Sequence, residues 1–150
     1  MAKRPAMIVL DTNIISEADR TGPSESVIEW FWHQDPLVLH LCAPVLMEQA
    51  YGAERFKLRT GSDRYNKTLS RVIERFSGRV LEFVDPAPEV AGRLRARRES
   101  VGRALSTQDS MIAALCIVHG ATLATRNVRD FEGLDLRLVN PFESTPRTTR

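Results

Sequence analysis

At 150 residues the chain is long enough for one domain with its own core, and its 43% hydrophobic and 27% charged residues set aside disordered, fibrous and membrane-embedded classes. A formal charge of +2 at pH 7 permits nucleic-acid binding without arguing for it. Two cysteines and no Cys/His cluster speak against a disulfide framework and a structural zinc site; Cys42 and Cys116 lie in apolar stretches and read as buried free thiols of a reduced compartment.

The chain opens on a lead-in, residues 1–6, followed by Met7-Ile8-Val9-Leu10. That run has no polar alternation, so it reads as a strand buried on both faces, as in a parallel sheet. Pro23-Ser24-Glu25-Ser26 resembles a helix start with Ser24 as cap, and Asp35-Pro36 ends that helix. Residues 37–41 form the second predicted strand. Pro44 suits the first turn of a helix that runs through residues 45–56. Residues 65–76 form another helix, with Leu69, Val72, Ile73 and Phe76 on one face and Gly78 at its end. A strand over 80–84, an arginine-rich helix over 88–98 and a strongly apolar helix over 106–119, closed by Gly120, follow. Strands over 122–125 and 136–139 complete the set. Residues 144–150 hold no apolar side chain and read as a loose tail. Strands alternating with helices predict a single three-layer α/β domain with a mostly parallel central sheet. No segment has the apolar length to cross a membrane, and the run behind Lys3 and Arg4 is too short for a signal-peptide core, so a cytoplasmic location is expected.

Four acidic residues stand in similar settings: Asp11 behind the first strand, Glu48 early in the helix after the second, Asp109 at the start of the apolar helix, and Asp130 behind the fourth strand. In an open parallel sheet, ligands bind beyond the carboxyl ends of the strands, so all four can share one edge. Each also has a plain structural reading. Asp11 can cap the next turn, with Thr12 and Asn13 beside it as orienting groups. Glu48 can be a solvated helix position, although Gly52 one turn on suggests close packing there. Asp109 completes the Ser-x-x-acid pattern of Ser106-Thr107-Gln108-Asp109. Asp130 can be a ligand, a helper through water, or the partner of Arg126 or Arg129, with Asn127 a second polar candidate and Phe131 anchoring the loop. Close carboxylates resist ionising together unless a cation offsets their charge, so clustering would predict a hard divalent ion such as Mg²⁺. No Gly-rich phosphate loop and no G-x-S-x-G occurs. His33, His40 and His119 lie in or beside apolar stretches, where a structural role is expected.

In order and spacing the segments Ile8-Val9-Leu10-Asp11-Thr12-Asn13, Glu48 with Gly52, Ser106-Thr107-Gln108-Asp109-Ser110-Met111-Ile112-Ala113-Ala114, Leu123-Ala124-Thr125-Arg126-Asn127-Val128-Arg129-Asp130-Phe131 and Asn140-Pro141-Phe142 resemble a PIN-domain protein. More narrowly, they resemble the VapC-type ribonuclease toxins, including the FitB-like group, over about residues 7–142. The resemblance implies a PIN-like α/β/α fold and a metal-dependent endoribonuclease acting on RNA with Mg²⁺, or Mn²⁺, and a metal-activated water. Asp11, Glu48 and Asp109 match the acids of the family motif, and Asp130 matches its variable fourth position. Asp11 and Asp109 are the expected direct metal ligands, with Glu48 binding through water or positioning the attacking water. The resemblance also implies a homodimer and a small DNA-binding antitoxin as partner. Ala43 and Leu46 stand where members often carry Ser or Thr before the second acid. The alternative reading is a weakly active or inactive subunit that acts with its antitoxin mainly as an operon repressor.

Arg93, Arg95, Arg97, Arg98 and Arg103 form a basic stretch that reads equally as a solvated helix face or a track for an RNA backbone. Trp30 and Trp32, two apart, cannot share a helix face, so at least one is partly exposed.

Overall fold

A computed structural model of the chain describes residues 6–143 and 148–149. Its elements in chain order are β1 (Ile8–Leu10), α1 (Thr12–Ala18), α2 (Glu25–Trp32), a 3-10 turn (Pro36–Val38), β2 (Leu39–Cys42), α3 (Ala43–Thr60), α4 (Arg64–Arg75), β3 (Val80–Leu81), α5 (Ala87–Ser100), α6 (Thr107–His119), β4 (Thr122–Ala124), α7 (Val128–Phe131), β5 (Arg137–Val139) and β6 (Thr148–Thr149). The strands lie side by side in the order β3-β2-β1-β4-β5-β6. β1 to β5 pair in parallel, and β6 pairs antiparallel with β5.

The apolar runs explain the parallel arrangement. Val9, Leu41, Cys42, Leu123 and Leu138 are fully buried, as strands covered on both faces require. Ile8 sits opposite Leu39 on one side and Thr122 on the other, which makes β1 the central strand. The chain moves from β1 to β2 to β3 in one direction, then returns past β1 to place β4 on its other flank. Right-handed crossovers assign α1 to α4 to one layer and α5 and α6 to the other; α3 packs on α4, and α5 on α6, accordingly. The three-layer α/β fold expected from the sequence is the one found.

Element boundaries differ where local polar groups intervene. The strand expected over 37–41 begins only at Leu39, because Asp35 Oδ1 accepts the Leu37 N–H at 2.9 Å and turns the chain once before the sheet. The strand expected over 80–84 keeps two residues at the sheet edge, and Val84 is exposed. α1, α7 and β6 carry too few residues to show a period and were not foreseen. Of the expected tail, residues 144–147 and 150 lie outside the described residues, while Thr148 and Thr149 pair with Val139 and Leu138.

α6 is the core helix anticipated from its composition, with Ile112 through Cys116 buried. Ser106 Oγ accepts the Asp109 N–H at 3.0 Å at its start, and Gly120 closes it at φ +63°, a conformation glycine adopts without strain. Ser24 does start α2, but its backbone N–H rather than its hydroxyl is engaged, donating to Glu17 Oε1 at 2.9 Å. Trp30 is buried and Trp32 is 82% exposed, as their spacing demands. Both cysteines are buried and free, and burial pushes the Cys42 thiol up to about 12, which leaves it unreactive. Phe131, fully buried, fixes the short α7 against the sheet. Phe131→Ala should therefore cost about 3–5 kcal/mol in chemical denaturation, the usual toll of emptying a fully packed aromatic site.

Candidate active site

β1 and β4 are neighbours whose connections leave in opposite directions, so a crevice opens beyond their carboxyl ends. Asp11 lies at this point. Its N–H donates to the Ala124 carbonyl at 2.9 Å, extending the β1–β4 ladder by one residue. Its Oδ1 accepts the Thr12 N–H at 2.8 Å and caps α1. Its Oδ2 accepts the Thr125 hydroxyl at 2.8 Å, with Asn13 Nδ2 at 3.5 Å. Thr125 is fully buried and its Oγ1 also accepts the Asn127 N–H at 3.0 Å. Asn13 Oδ1 accepts the Arg126 N–H at 3.0 Å. The turn after β1 and the turn after β4 are thus bonded to each other through side chains.

Glu48 is exposed in the second turn of α3. The Thr12 hydroxyl donates to its Oε2 at 2.7 Å, and Gln108 Nε2 approaches the same oxygen at 3.3 Å while donating to the Pro44 carbonyl at 2.7 Å. The hydroxyl absent at Ala43 and Leu46 is therefore supplied from α1. Asp109 is half-buried in the first turn of α6. Burial raises its carboxyl above the ordinary 3.8, and the charges of Asp11, Asp130 and Glu48 raise it further. Burial likewise raises Asp11, against the Thr125, Thr12 and Asn13 hydrogen bonds, which favour its charged form; the charge of Glu48 adds to the upward shift. The four acids, drawn from four separate segments, share one electrostatic neighbourhood. Asp130 is exposed on α7 and lines a pocket with Asp109. Among the described residues it pairs with neither Arg126 nor Arg129; the Arg126 guanidinium lies over the Phe142 ring at 4.5 Å.

Two expectations change. Gly52 is not a close-packing position, since a Cβ there would meet nothing within 4 Å. Arg98 belongs neither to a solvated face nor to an RNA track. It is 8% exposed and donates to the carbonyls of Arg103 (2.8 Å), Glu132 (2.8 Å) and Asp130 (3.2 Å), tying the α5–α6 turn to the end of α7. Thr125 and Gln108 are additional partners of the acids. Thr125 had a signal, a polar residue closing a buried strand one register position beyond Ala124, which pairs with Leu10. Gln108 had none, because its role depends on how α3 and α6 pack. His33 and His40 are engaged with the carbonyls of Glu29 and Val38, as a structural role predicts.

Among the described residues no three His, Cys, Asp or Glu side chains are gathered tightly enough to enclose an ion. The donors are hard carboxylate oxygens with no cationic side chain bonded to Asp11, Glu48 or Asp109 among the described residues. Such a set fits a hydrated divalent cation of the Mg²⁺ kind, which binds through one or two carboxylates and keeps several waters.

A parallel sheet with acids at its switch point, fed by strand ends and helix starts, defines a class: the chain belongs to the PIN-domain family, matched over residues 8–135. Within that family it stands with the VapC and FitB proteins. It is 34% identical over 140 residues to the VapC ribonuclease Y4jK of Sinorhizobium fredii, covering 91% of this chain and 99% of the relative. It is 31% identical over 140 residues to toxin FitB of Neisseria gonorrhoeae, with the same coverage. The solved structure of FitAB bound to an IR36 DNA fragment superposes with a TM-score of 0.81 at 30% identity, over 91% of this chain and 96% of that one.

The raised acids have a consequence for the metal-free fold. A carboxyl raised in the folded state retains a proton that the unfolded chain has released, so its ionisation on raising the pH through that window weakens the fold. Asp109→Asn should therefore be more stable than the parent at pH 7 in chelator. The gain should shrink as pH falls toward 3.8, the ordinary value for Asp. Urea denaturation at several pH values reads this; a pH-independent difference would contradict it.

Proposed function

We propose that the chain, as one domain over residues 1–150, is a metal-dependent endoribonuclease and the toxin of a type II toxin–antitoxin pair. The observation that carries this reading is the convergence of Asp11, Glu48, Asp109 and Asp130 at the switch point, with burial and mutual repulsion raising two of them. Relatives named as a VapC ribonuclease and a toxin support it. Asp11 and Asp109 would hold Mg²⁺, or Mn²⁺, with Asp130 supporting the hydration shell. When bound, the cation supplies charge compensation and Lewis acidity for phosphodiester hydrolysis. Thr125 and Asn13 keep the Asp11 carboxylate in one orientation. Thr12 and Gln108 hold Oε2 of Glu48, leaving Oε1 to position the attacking water and accept its proton.

The partner expected is a small DNA-binding antitoxin, since the similar FitAB structure is a complex bound to DNA. An open groove of about 1200 Å³ runs from Glu48 between α1, α3 and α4 past Tyr51, Phe56 and Tyr65, and supports a peptide-binding role for this face. A homodimer and a cytoplasmic location complete the proposal; no helix among the described residues is long and apolar enough to cross a membrane. The DNA-bound relative also favours a second reading, in which repression with the antitoxin is the main role and cleavage is weak.

Purified partner-free protein should cut a mixed RNA pool with Mg²⁺ or Mn²⁺ and not with chelator. Asp11→Asn, which keeps a capping side chain, should lower the rate at least about a hundredfold with little loss of stability. Cleavage that survives chelation or this substitution would sink the catalytic reading, and a folded, metal-loaded protein that cuts nothing would favour the repressor reading.

A further inference from the structure

A cavity of about 430 Å³ opens beside the acids, with Asp109 and Asp130 on its wall. Its other polar lining comes from Arg98, Arg103 and Arg129. Arg98 is fully engaged with backbone carbonyls and serves as the frame. Arg103 and Arg129 are different. Among the described residues neither guanidinium makes a side-chain hydrogen bond or an ion pair, although two carboxylates lie in the same pocket.

The backbone of Arg103 is held in place, while its side chain is exposed. Its own carbonyl is held by Arg98 Nε, which fixes the α5–α6 turn. Its side chain passes over Gly133, where φ is +87° and a Cβ would stand 3.3 Å from Arg103 Nη1. A Cβ there would crowd this guanidinium by a few tenths of an ångström, so the glycine leaves it room. Arg129 reaches the same cavity from α7, one residue before Asp130. Two unpaired forks on fixed backbone, next to a set of acids, suit a doubly coordinated anion whose remainder extends to the carboxylates.

We propose that Arg103 and Arg129 form a phosphate-binding subsite for the substrate strand, taking the backbone phosphate next to the one held at the acids. The proposal rests on the nuclease reading and deepens it. A substrate must then extend past the cleaved bond on the α7 side, so a polynucleotide is favoured over a single nucleotide. It also divides the basic stretch by role: Arg98 as frame, the exposed Arg103 as substrate contact, and Arg93 and Arg97, equally exposed, outside the cavity.

The test is binding of a fluorescein-labelled, mixed-sequence single-stranded RNA about 12 nucleotides long. The full chain carries Asp11→Asn so that the probe stays intact, Mg²⁺ is present, and salt is varied. Adding Arg103→Gln with Arg129→Gln should weaken binding on the order of tenfold at low salt and reduce the log–log salt slope by about 1.4, roughly 0.7 for each lost single-strand contact. Arg93→Gln with Arg97→Gln removes the same charge from the face of α5 and should leave the slope unchanged. Arg103→Lys with Arg129→Lys keeps the charge and should keep the slope, which serves as the folded control if the Gln pair melts early. An unchanged affinity and slope in the Gln pair, an equal loss in both Gln pairs, or no RNA binding by the parent would each overturn the subsite. Cleavage by the unsubstituted protein is scored separately: RNA bound through the two arginines but never cut would sink the catalytic reading and the substrate role of the subsite with it, whereas cleavage with binding unchanged in the Gln pair would sink the subsite alone.

Discussion

The arrangement depends on one buried carboxylate. Asp11, 6% exposed, stands where β1 and β4 part, and the Thr125 hydroxyl reaches it at 2.8 Å from the end of the neighbouring strand. Burial opposes its charge, and three hydrogen bonds favour it. Leaving such a group without partners would cost several kcal/mol, so the bonds from Thr125, Thr12 and Asn13 are a condition of its being there. The Thr125 bond, with that of the Arg126 N–H to Asn13 Oδ1, joins the turn after β1 to the turn after β4. What holds the acid also aligns the strands around it.

The other parts of the site are positioned by unrelated means. Helix α6 presents Asp109 because its apolar body is locked in the core and Ser106 caps its start. Glu48 is placed by the Thr12 hydroxyl and the Gln108 amide, so α1, α3 and α6 set one side chain together. Asp130 depends on the buried Phe131 beneath it and on Arg98 gripping its carbonyl. Preorganisation is distributed: each acid rests on a rigid element, and no single loop carries the site.

Rigidity here is achieved against electrostatics. Asp109 is disfavoured by burial and by three neighbouring acids, and Arg103 and Arg129, which line the same cavity, make no ion pair with it among the described residues. A fold optimised only for stability would place a lysine or arginine among such groups. The stability forgone is characteristic of a site kept ready for a cation and an anionic ligand.

Much of this was legible in the sequence because it is written in local chemistry. An apolar run without alternation marked β1 as a buried parallel strand; Ser106 and Gly120 bracketed α6; and the acids behind strands and at helix starts pointed to one sheet edge. Short elements escaped, since α1 and α7 span too few residues for a period to emerge, and Asp35 displaced the start of β2 through a bond that only the folded turn makes. Tertiary structure alone decided the partners. Thr125 meets Asp11 across 114 residues, Gln108 meets Glu48 across 60, and Arg98 is buried while Arg97 beside it is exposed. A sequence records which groups can bond and with what period they face inward; which distant groups meet is set by the packing of whole layers, and that depends on every element at once.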